Sequence, residues 1–323
     1  MVTAVAVTGL RKSYGEREAV RGVDFTVEQG EVFALLGPNG AGKTTTLEIL
    51  EGFRARDGGH VEVLGHDPGD PAHGRVLREQ IGLVLQNMTA EPYLTVRESV
   101  LRHAGYYARP RPADEVIALV GLEEQAGSRA KDLSGGQQRR LDLALGVVGD
   151  PRLLFLDEPT TGFDPEARRA AWDVVRRLRD GGTTIVLTTH YMDEAQALAD
   201  SVAVIAGGRI VSTGTPATLG GRDSAGSRIS FTLPPGTEPA DVPLPLDTVA
   251  PGRVTAVVTE PTAALHRLTG WALERGTPLA GLTVERPTLE DVYLDLTATR
   301  DDEPEAAAPV RPRRRRRPER SRA

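Results

Sequence analysis

Cysteine is absent from the 323 residues, lysine nearly so, and aromatics make up only 4%. The lack of cysteine excludes disulfides, thiol nucleophiles and Cys-based zinc or iron–sulfur sites, and it fits a reducing compartment. Lys12, Lys43 and Lys131 are the only lysines, so a lysine kept inside a motif points to a chemical requirement. No apolar run approaches the ~18–20 residues that cross a bilayer. The N-terminus, Met1–Val7, alternates like a strand and lacks the basic and apolar regions of a signal peptide. A chain soluble by itself is expected, with any membrane role reaching it through a partner.

Hydrophobic residues at 39% and charged residues at 26% are ordinary globular proportions, enough for a sizeable core. The length suits one large domain plus a smaller one, or two domains. The net charge of −6 conceals an asymmetry: the tail from Asp301 carries 8 arginines against 5 acids, or +3, which leaves −9 on residues 1–300. An acidic body argues against non-specific nucleic-acid binding, so no nucleic-acid partner is expected.

The stretch Gly37-Pro38-Asn39-Gly40-Ala41-Gly42-Lys43-Thr44-Thr45 matches GxxxxGK[ST] at every fixed position. It lies between an apolar run that predicts a buried strand, Val32–Leu36, and a predicted helix, Thr46–Leu50. Glycines let backbone N–H groups converge on phosphate oxygens, and the helix N-terminus adds partial positive charge. Lys43 is expected to reach the β- and γ-phosphates and Thr44 to hold Mg²⁺.

Other polar residues stand at the ends of predicted strands, where ligands bind in open α/β sheets. Leu153–Leu156 runs into Asp157 and Glu158. One carboxylate there can position Mg²⁺ through water, and the next can orient or deprotonate a water; a solvated strand end is the plain alternative. Ile81–Leu85 ends at Gln86, either a ligand-facing or a surface glutamine. Thr184–Thr189 ends at His190, either structural or a γ-phosphate contact. Tyr14, in a polar loop between strands expected over 3–9 and 23–28, can stack on a purine or be an ordinary loop residue. Ser134-Gly135-Gly136-Gln137 opens a helix running through Leu145 and offers a second anion site or a plain N-cap. Helices are expected over 95–107, capped by Thr95 and Glu98 and carrying an apolar stripe of Val96, Val100, Leu101 and Ala104, and over 112–120. Asp164-Pro165 makes a turn before a helix of about 166–180.

These residues resemble the ATP-binding subunits of ABC transporters over about residues 3–220. Gly37–Thr45 is similar to Walker A, Leu133–Gln137 reads LSGGQ like the family signature, and Leu153–Glu158 resembles Walker B with its catalytic glutamate. Tyr14, Gln86, Asp164 and His190 stand where the A-, Q-, D- and H-loop residues would; Phe163 departs from the commoner D-loop leucine. The resemblance implies a P-loop α/β core with an antiparallel β subdomain and an inserted helical subdomain, about residues 88–148, within a domain of residues 1–222. It also implies a head-to-tail dimer with two ATPs at its interface. Ser134, Gly135 and Gly136 of one copy would bind the γ-phosphate held by Lys43 of the other. Glu158 would be the general base, His190 would hold phosphate and water, and Gln86 would link Mg²⁺ to a transmembrane permease. ATP and Mg²⁺ are the expected cofactors, and the chain would sit in the cytoplasm at the inner membrane face through that permease.

Strands expected over 228–233, 253–259 and 282–286 and helices over 262–275 and 289–297 make a small α+β domain, residues 226–299. Its close, Arg286-Pro287-Thr288-Leu289-Glu290-Asp291-Val292-Tyr293-Leu294, resembles the PSLEDVF-like ending of ABC-2-type subunits, a group that includes drug and antibiotic exporters; a capped amphipathic helix is the plain alternative. Residues 300–323 are Pro-, Ala- and Arg-rich and expected to be disordered. Arg313–Arg317 there could touch anionic lipid or be simply solvated. A soluble ABC ATPase acting on ribosomes or DNA would show tandem ATPase domains or a long coiled-coil insertion, and neither is visible. A purely regulatory nucleotide module would have no need of Glu158.

Overall fold

A hairpin with one buried face opens the fold. β1 (Thr3–Tyr14) and β2 (Arg17–Glu28) pair antiparallel, burying Val5, Val7, Val20 and Val23 at alternate or near-alternate positions. Both strands are longer than predicted. Polar residues in the outer half pair across the hairpin, Arg11 to Glu18 at 2.8 Å, and Gly15, at φ +61°, supplies the positive φ of a two-residue turn. Tyr14 is therefore the last residue of β1 and not part of a loop. The computed structural model describes residues 2–85, 90–222, 226–250 and 252–294. Gln86, the last residues of the small predicted domain and the Arg-rich tail lie outside them.

β3 (Val32–Leu36) leads into α1 (Lys43–Leu50), and β4 (Gly58–Val63) returns to complete a three-stranded sheet, β2-β1-β4. Then follow α2 (Gly74–Arg78), β5 (Ile81–Val84), α3 (Val96–Ala104), α4 (Ala113–Leu119), α5 (Gly135–Val147), β6 (Leu153–Asp157), α6 (Pro165–Asp180), β7 (Thr184–Thr189), α7 (Met192–Leu198), β8 (Ser201–Ala206) and β9 (Arg209–Gly214). The second sheet has the order β5-β6-β7-β3-β8-β9, with the first five strands parallel and β9 antiparallel. Both its faces are covered, which is why β3, β6 and β7 are buried at every position. On one face Leu47, Ile49 and Leu50 of α1 pack with Phe33, Phe155 and the valines of the antiparallel sheet; Phe25 and Phe33 stack at 4.9 Å. On the other face α3 to α7 share a core with Leu154 and Leu187.

Thr95 and Glu98 form the predicted capping box of α3, with Thr95 N–H donating to the Glu98 carboxylate at 2.8 Å. Val96 and Val100 are buried, but Leu101 is 53% exposed. One residue past Val100, it has rotated about 100° around the helix and off the packed face, so the predicted stripe narrows to its other members.

β10 (Ser227–Thr232), β11 (Thr248–Ala250), β12 (Arg253–Val258), α8 (Pro261–Glu274) and β13 (Thr283–Glu285) follow. Their antiparallel sheet runs β11-β12-β10-β13, and α8 packs Ala264 and Leu268 on Ile229, Phe231 and Val254. β11 lies between the strands expected over 228–233 and 253–259, where the sequence predicts no strand. A helical stretch from Leu289 is described to Leu294 and capped by Thr288, whose hydroxyl accepts from Asp291 N–H at 3.0 Å. Leu289 and Tyr293 join the same core cluster as Ala195 and Leu198 of α7. Arg222 reinforces that junction by donating to Gln196 (2.5 Å), to the Pro216 carbonyl (2.7 Å) and to the Pro287 carbonyl (2.6 Å).

Glu51, at the end of α1, is 5% exposed, and neither carboxylate oxygen has a hydrogen-bond partner. Burial, then the charges of Asp157 and Glu48, push its pKa from 4.5 to about 8. Between those values the folded chain binds a proton that the unfolded chain has lost, so stability falls as pH rises through that window. Glu51→Gln, which mimics the neutral acid, is expected to match the wild-type Tm near pH 5 and exceed it by roughly 3 °C or more near pH 8.5. Thermal melts across pH test this, and a difference that does not change with pH would refute it.

Candidate active site

The sheet order decides which residues meet. β5, β6, β7 and β3 are neighbours and parallel, so their carboxyl ends line one edge. Glu158 follows β6, His190 follows β7 and Gly37 follows β3. Gln86 follows the β5 end but lies outside the described residues.

The loop from Gly37 wraps the start of α1. Gly42, at φ +107°, is the N-cap and brings no side-chain hydrogen bond. By contrast Thr95 caps α3 and Ser134 caps α5. First-turn N–H groups of a helix have no intrahelical partner, so α1 presents them to a ligand. The glycine requirement has a source beyond ligand access. A Cβ on Gly37 would stand 2.4 Å from the Ile205 carbonyl oxygen, and one on Gly42 would stand 2.6 Å from that of Ala19. Lys43 is 4% exposed; its Nζ donates to the Gly37 carbonyl at 2.7 Å and lies 3.3 Å from Glu158 Oε1.

Glu158 is held in an uncommon conformation. Its φ is +47°, costly for a residue with a Cβ. Its N–H donates to both the carbonyl and the hydroxyl of Thr188, each at 3.1 Å. The turn carries the carboxylate to Lys43, to the Thr161 hydroxyl (3.2 Å) and to His190 Nδ1, 3.3 Å away without hydrogen-bond alignment. Burial works to raise the Glu158 pKa, but the Lys43 charge and hydrogen bond, together with His190, outweigh it and hold the group below its ordinary range. Lys43 is pulled below its ordinary pKa by burial, which Glu158 and Asp157 partly offset.

Asp157 accepts from Thr44 Oγ1 at 3.3 Å and, through its other oxygen, from Thr188 Oγ1. Burial raises its pKa, Thr188 opposes this, and the Glu158 charge adds to it. The Thr44 hydroxyl beside the Asp157 carboxyl is a pair of hard oxygen donors, chemistry that fits Mg²⁺.

Two clefts share this edge. One, of about 340 Å³, is lined by Tyr14, Arg17, Asn39, Gly40, Lys43 and Thr44, with Thr45 and Glu158. Tyr14 OH lies 3.4 Å from Thr45 Oγ1. The other, of about 410 Å³, is lined by Gly135, Gly136, Arg139, Thr161 and Asp164, again with Glu158. Among the described residues, Glu158 is the only one that lines both. Ser134 and Gln137 form a reciprocal cap on α5, at 3.3 Å and 2.9 Å. Asp164 caps α6, accepting from Glu166 N–H and Ala167 N–H at 3.0 and 2.8 Å. Pro38 is exposed at the loop and Ala41 buried beneath it.

Sequence reasoning missed Thr188, Thr161, Arg17 and Arg139. Thr188-Thr189, polar at the end of an otherwise apolar strand, was the one visible signal.

The family described as ABC transporter matches residues 20–161, and the one described as ABC transporter domain-containing protein-like, C-terminal domain, matches residues 227–288. The daunorubicin resistance ATP-binding protein DrrA3 of Streptomyces coeruleorubidus is 39% identical over 306 residues, covering 91% of this chain and 96% of that protein. The chain belongs to the ATP-binding proteins of ABC transporters. The Nod factor export ATP-binding protein I of Rhizobium etli is 42% identical, over 68% of this chain and 70% of its own length. A dimeric structure of a post-hydrolysis state of an ATP-binding cassette bound to ADP and Pi is 25% identical with a TM-score of 0.59, covering 65% of this chain and 98% of that one. The resemblance to ABC-2-type subunits is borne out, and as a member of this family the chain binds and hydrolyses ATP. No helix among the described residues is long and apolar enough to cross a membrane.

Gly37→Ala is expected to destabilise the fold by about 1–3 kcal/mol through the Ile205 clash. Gly135→Ala, whose Cβ meets nothing within 4 Å, should leave Tm unchanged. Thermal melts of the two variants without nucleotide test the contrast, and equal effects would refute it.

Proposed function

We propose that two copies of this chain enclose two ATPs head to tail and power an ABC-2-type permease that exports a drug, an antibiotic or another amphipathic compound. The observation that carries the dimer is the division of the site into two clefts. Lys43 and the α1 N-terminus line one, Gly135 and Gly136 line the other, and Glu158 stands between them. Each chain then offers two halves of different sites. The relatives' names, daunorubicin resistance and Nod factor export, support the exporter reading. The chain would lie in the cytoplasm against the inner membrane face, held by the permease.

In this reading Tyr14 stacks on adenine, the N–H groups of Gly37–Thr45 and the Lys43 ammonium bind the phosphates, and Ser134, Gly135 and Gly136 of the second copy close on the γ-phosphate. Gln137 and Asp164 keep the facing helix starts in shape. Mg²⁺ would be held by Thr44 and Asp157, with Gln86 as a further expected ligand, and would supply charge neutralisation on the phosphates. Glu158 is the general base. Lys43 holds its pKa down, so a γ-phosphate that takes up the Lys43 charge lets burial raise it, turning a paired carboxylate into a better proton acceptor. His190 stays beside the carboxylate to hold phosphate and water.

Glu158→Gln should slow hydrolysis by at least ~100-fold and accumulate ATP-stabilised dimers, measured by phosphate release and light scattering. Unchanged turnover would remove Glu158 from this role. Gly135→Ala should stay folded and monomeric with ATP. Capture of a polytopic membrane protein by the tagged chain from its native membranes tests the exporter reading, and its absence from the captured material would count against it.

A further inference from the structure

If each ATP touches Glu158 of one copy and the signature of the other, then within one chain Glu158 and Gly135–Gly136 serve different ATPs. Some element of the chain must join them if the two sites are to act together. Arg139 occupies that position, one turn along α5 from Gly135, with its side chain 14% exposed. Its Nε donates to the Pro159 carbonyl at 3.1 Å and its Nη2 to the Asp157 carbonyl at 3.3 Å, the carbonyls of the residues after and before Glu158. Its Nη1 donates to the Leu85 carbonyl at 2.6 Å, at the end of β5. Asp142, one turn further along α5, lies 3.8 Å away. A planar fork fixed on three carbonyls transmits direction as well as distance; a lysine ammonium on its flexible stem cannot.

We propose that Arg139 is a positioning residue that ties the signature helix to the Glu158 turn in each chain and thereby couples the two ATP sites of the dimer. This rests on the sandwich-dimer reading above. Movement of α5 as the signature closes on one ATP is passed to the Asp157–Pro159 backbone, which presents the base to the other. The coupling has a named element with one end on the signature helix and the other on the Glu158 turn.

The test measures phosphate release by the full chain against ATP concentration. Wild type should be sigmoidal with a Hill coefficient approaching about 2, the number of sites. Arg139→Met, of similar length without the fork, should give a coefficient of about 1 and a maximal rate lower by roughly 10- to 100-fold. Its affinity for a fluorescent ATP analogue under dilute, monomeric conditions should stay within about twofold, because the loss falls on the assembled site. Arg139→Lys keeps the charge beside Asp142, and it decides the matter if the methionine variant fails to fold; it too should lose the cooperativity. A lower rate with an unchanged Hill coefficient marks a merely structural role and overturns the proposal, as does a non-cooperative wild type. The dimer reading is judged separately. If Glu158→Gln forms ATP-dependent dimers while Arg139 variants keep wild-type cooperativity, only the Arg139 proposal falls.

Discussion

A buried ammonium cannot be left unpaired, and Lys43 is almost wholly buried. Its carboxylate partner in the cleft is Glu158, and the surrounding backbone arranges that meeting. β7 lies between β3 and β6, and in the register Thr188 pairs with Leu35 on one side and Asp157 on the other. That pairing sets the gap across which Lys43 and Glu158 face each other. It also places the Thr188 carbonyl and hydroxyl where they hold the Glu158 N–H and so sustain its positive φ. The pair is well placed to be exchanged. Both partners sit away from their ordinary pKa, and on the proposed reading an anion that competes for Lys43 would change the state of Glu158.

Much of this edge could be read from the sequence because its signals are local. A Gly-rich loop between an apolar run and a helix, or two carboxylates closing an apolar run, is visible within ten residues. The capping box at Thr95 is equally local and formed; Ser134, read as an anion site or a plain N-cap, caps α5 with a reciprocal bond from Gln137 that was not foreseen. The features that escaped depend on residues far apart in the chain. Thr188 matters because it pairs with Asp157, and Arg139 because it reaches Leu85, Asp157 and Pro159. Nothing near Arg139 in the sequence marks it apart from Arg140, which turns instead to the Gly121 carbonyl at 2.7 Å. Gly37 and Gly42 were expected for a reason that omits half of the physics: their own fold's carbonyls stand where a Cβ would go. Leu101 and the outer hairpin were misjudged because composition does not show which helix face packs, or that long polar side chains suffice to pair strand ends.

The strand-edge residues are backed by a frame with little freedom. Glu194 of α7 is fully buried and accepts from the Thr160 hydroxyl at 2.8 Å and the Trp172 indole N–H at 3.2 Å. It thereby locks α6, α7 and the segment after Glu158 together. Leu289, Tyr293 and Arg222 fasten the C-terminal segment to the same helix α7. Close packing of this kind transmits displacement and does not absorb it. On the sandwich-dimer reading, closure over ATP then has to occur as the approach of two stiff bodies, with the loops at the sheet edge meeting across the gap. Energy from ATP would reach a membrane partner as a change in the distance between copies. An intrasubunit tie such as Arg139 suits that scheme, because two stiff bodies can close on both nucleotides together only if each carries its two half-sites in a fixed relation.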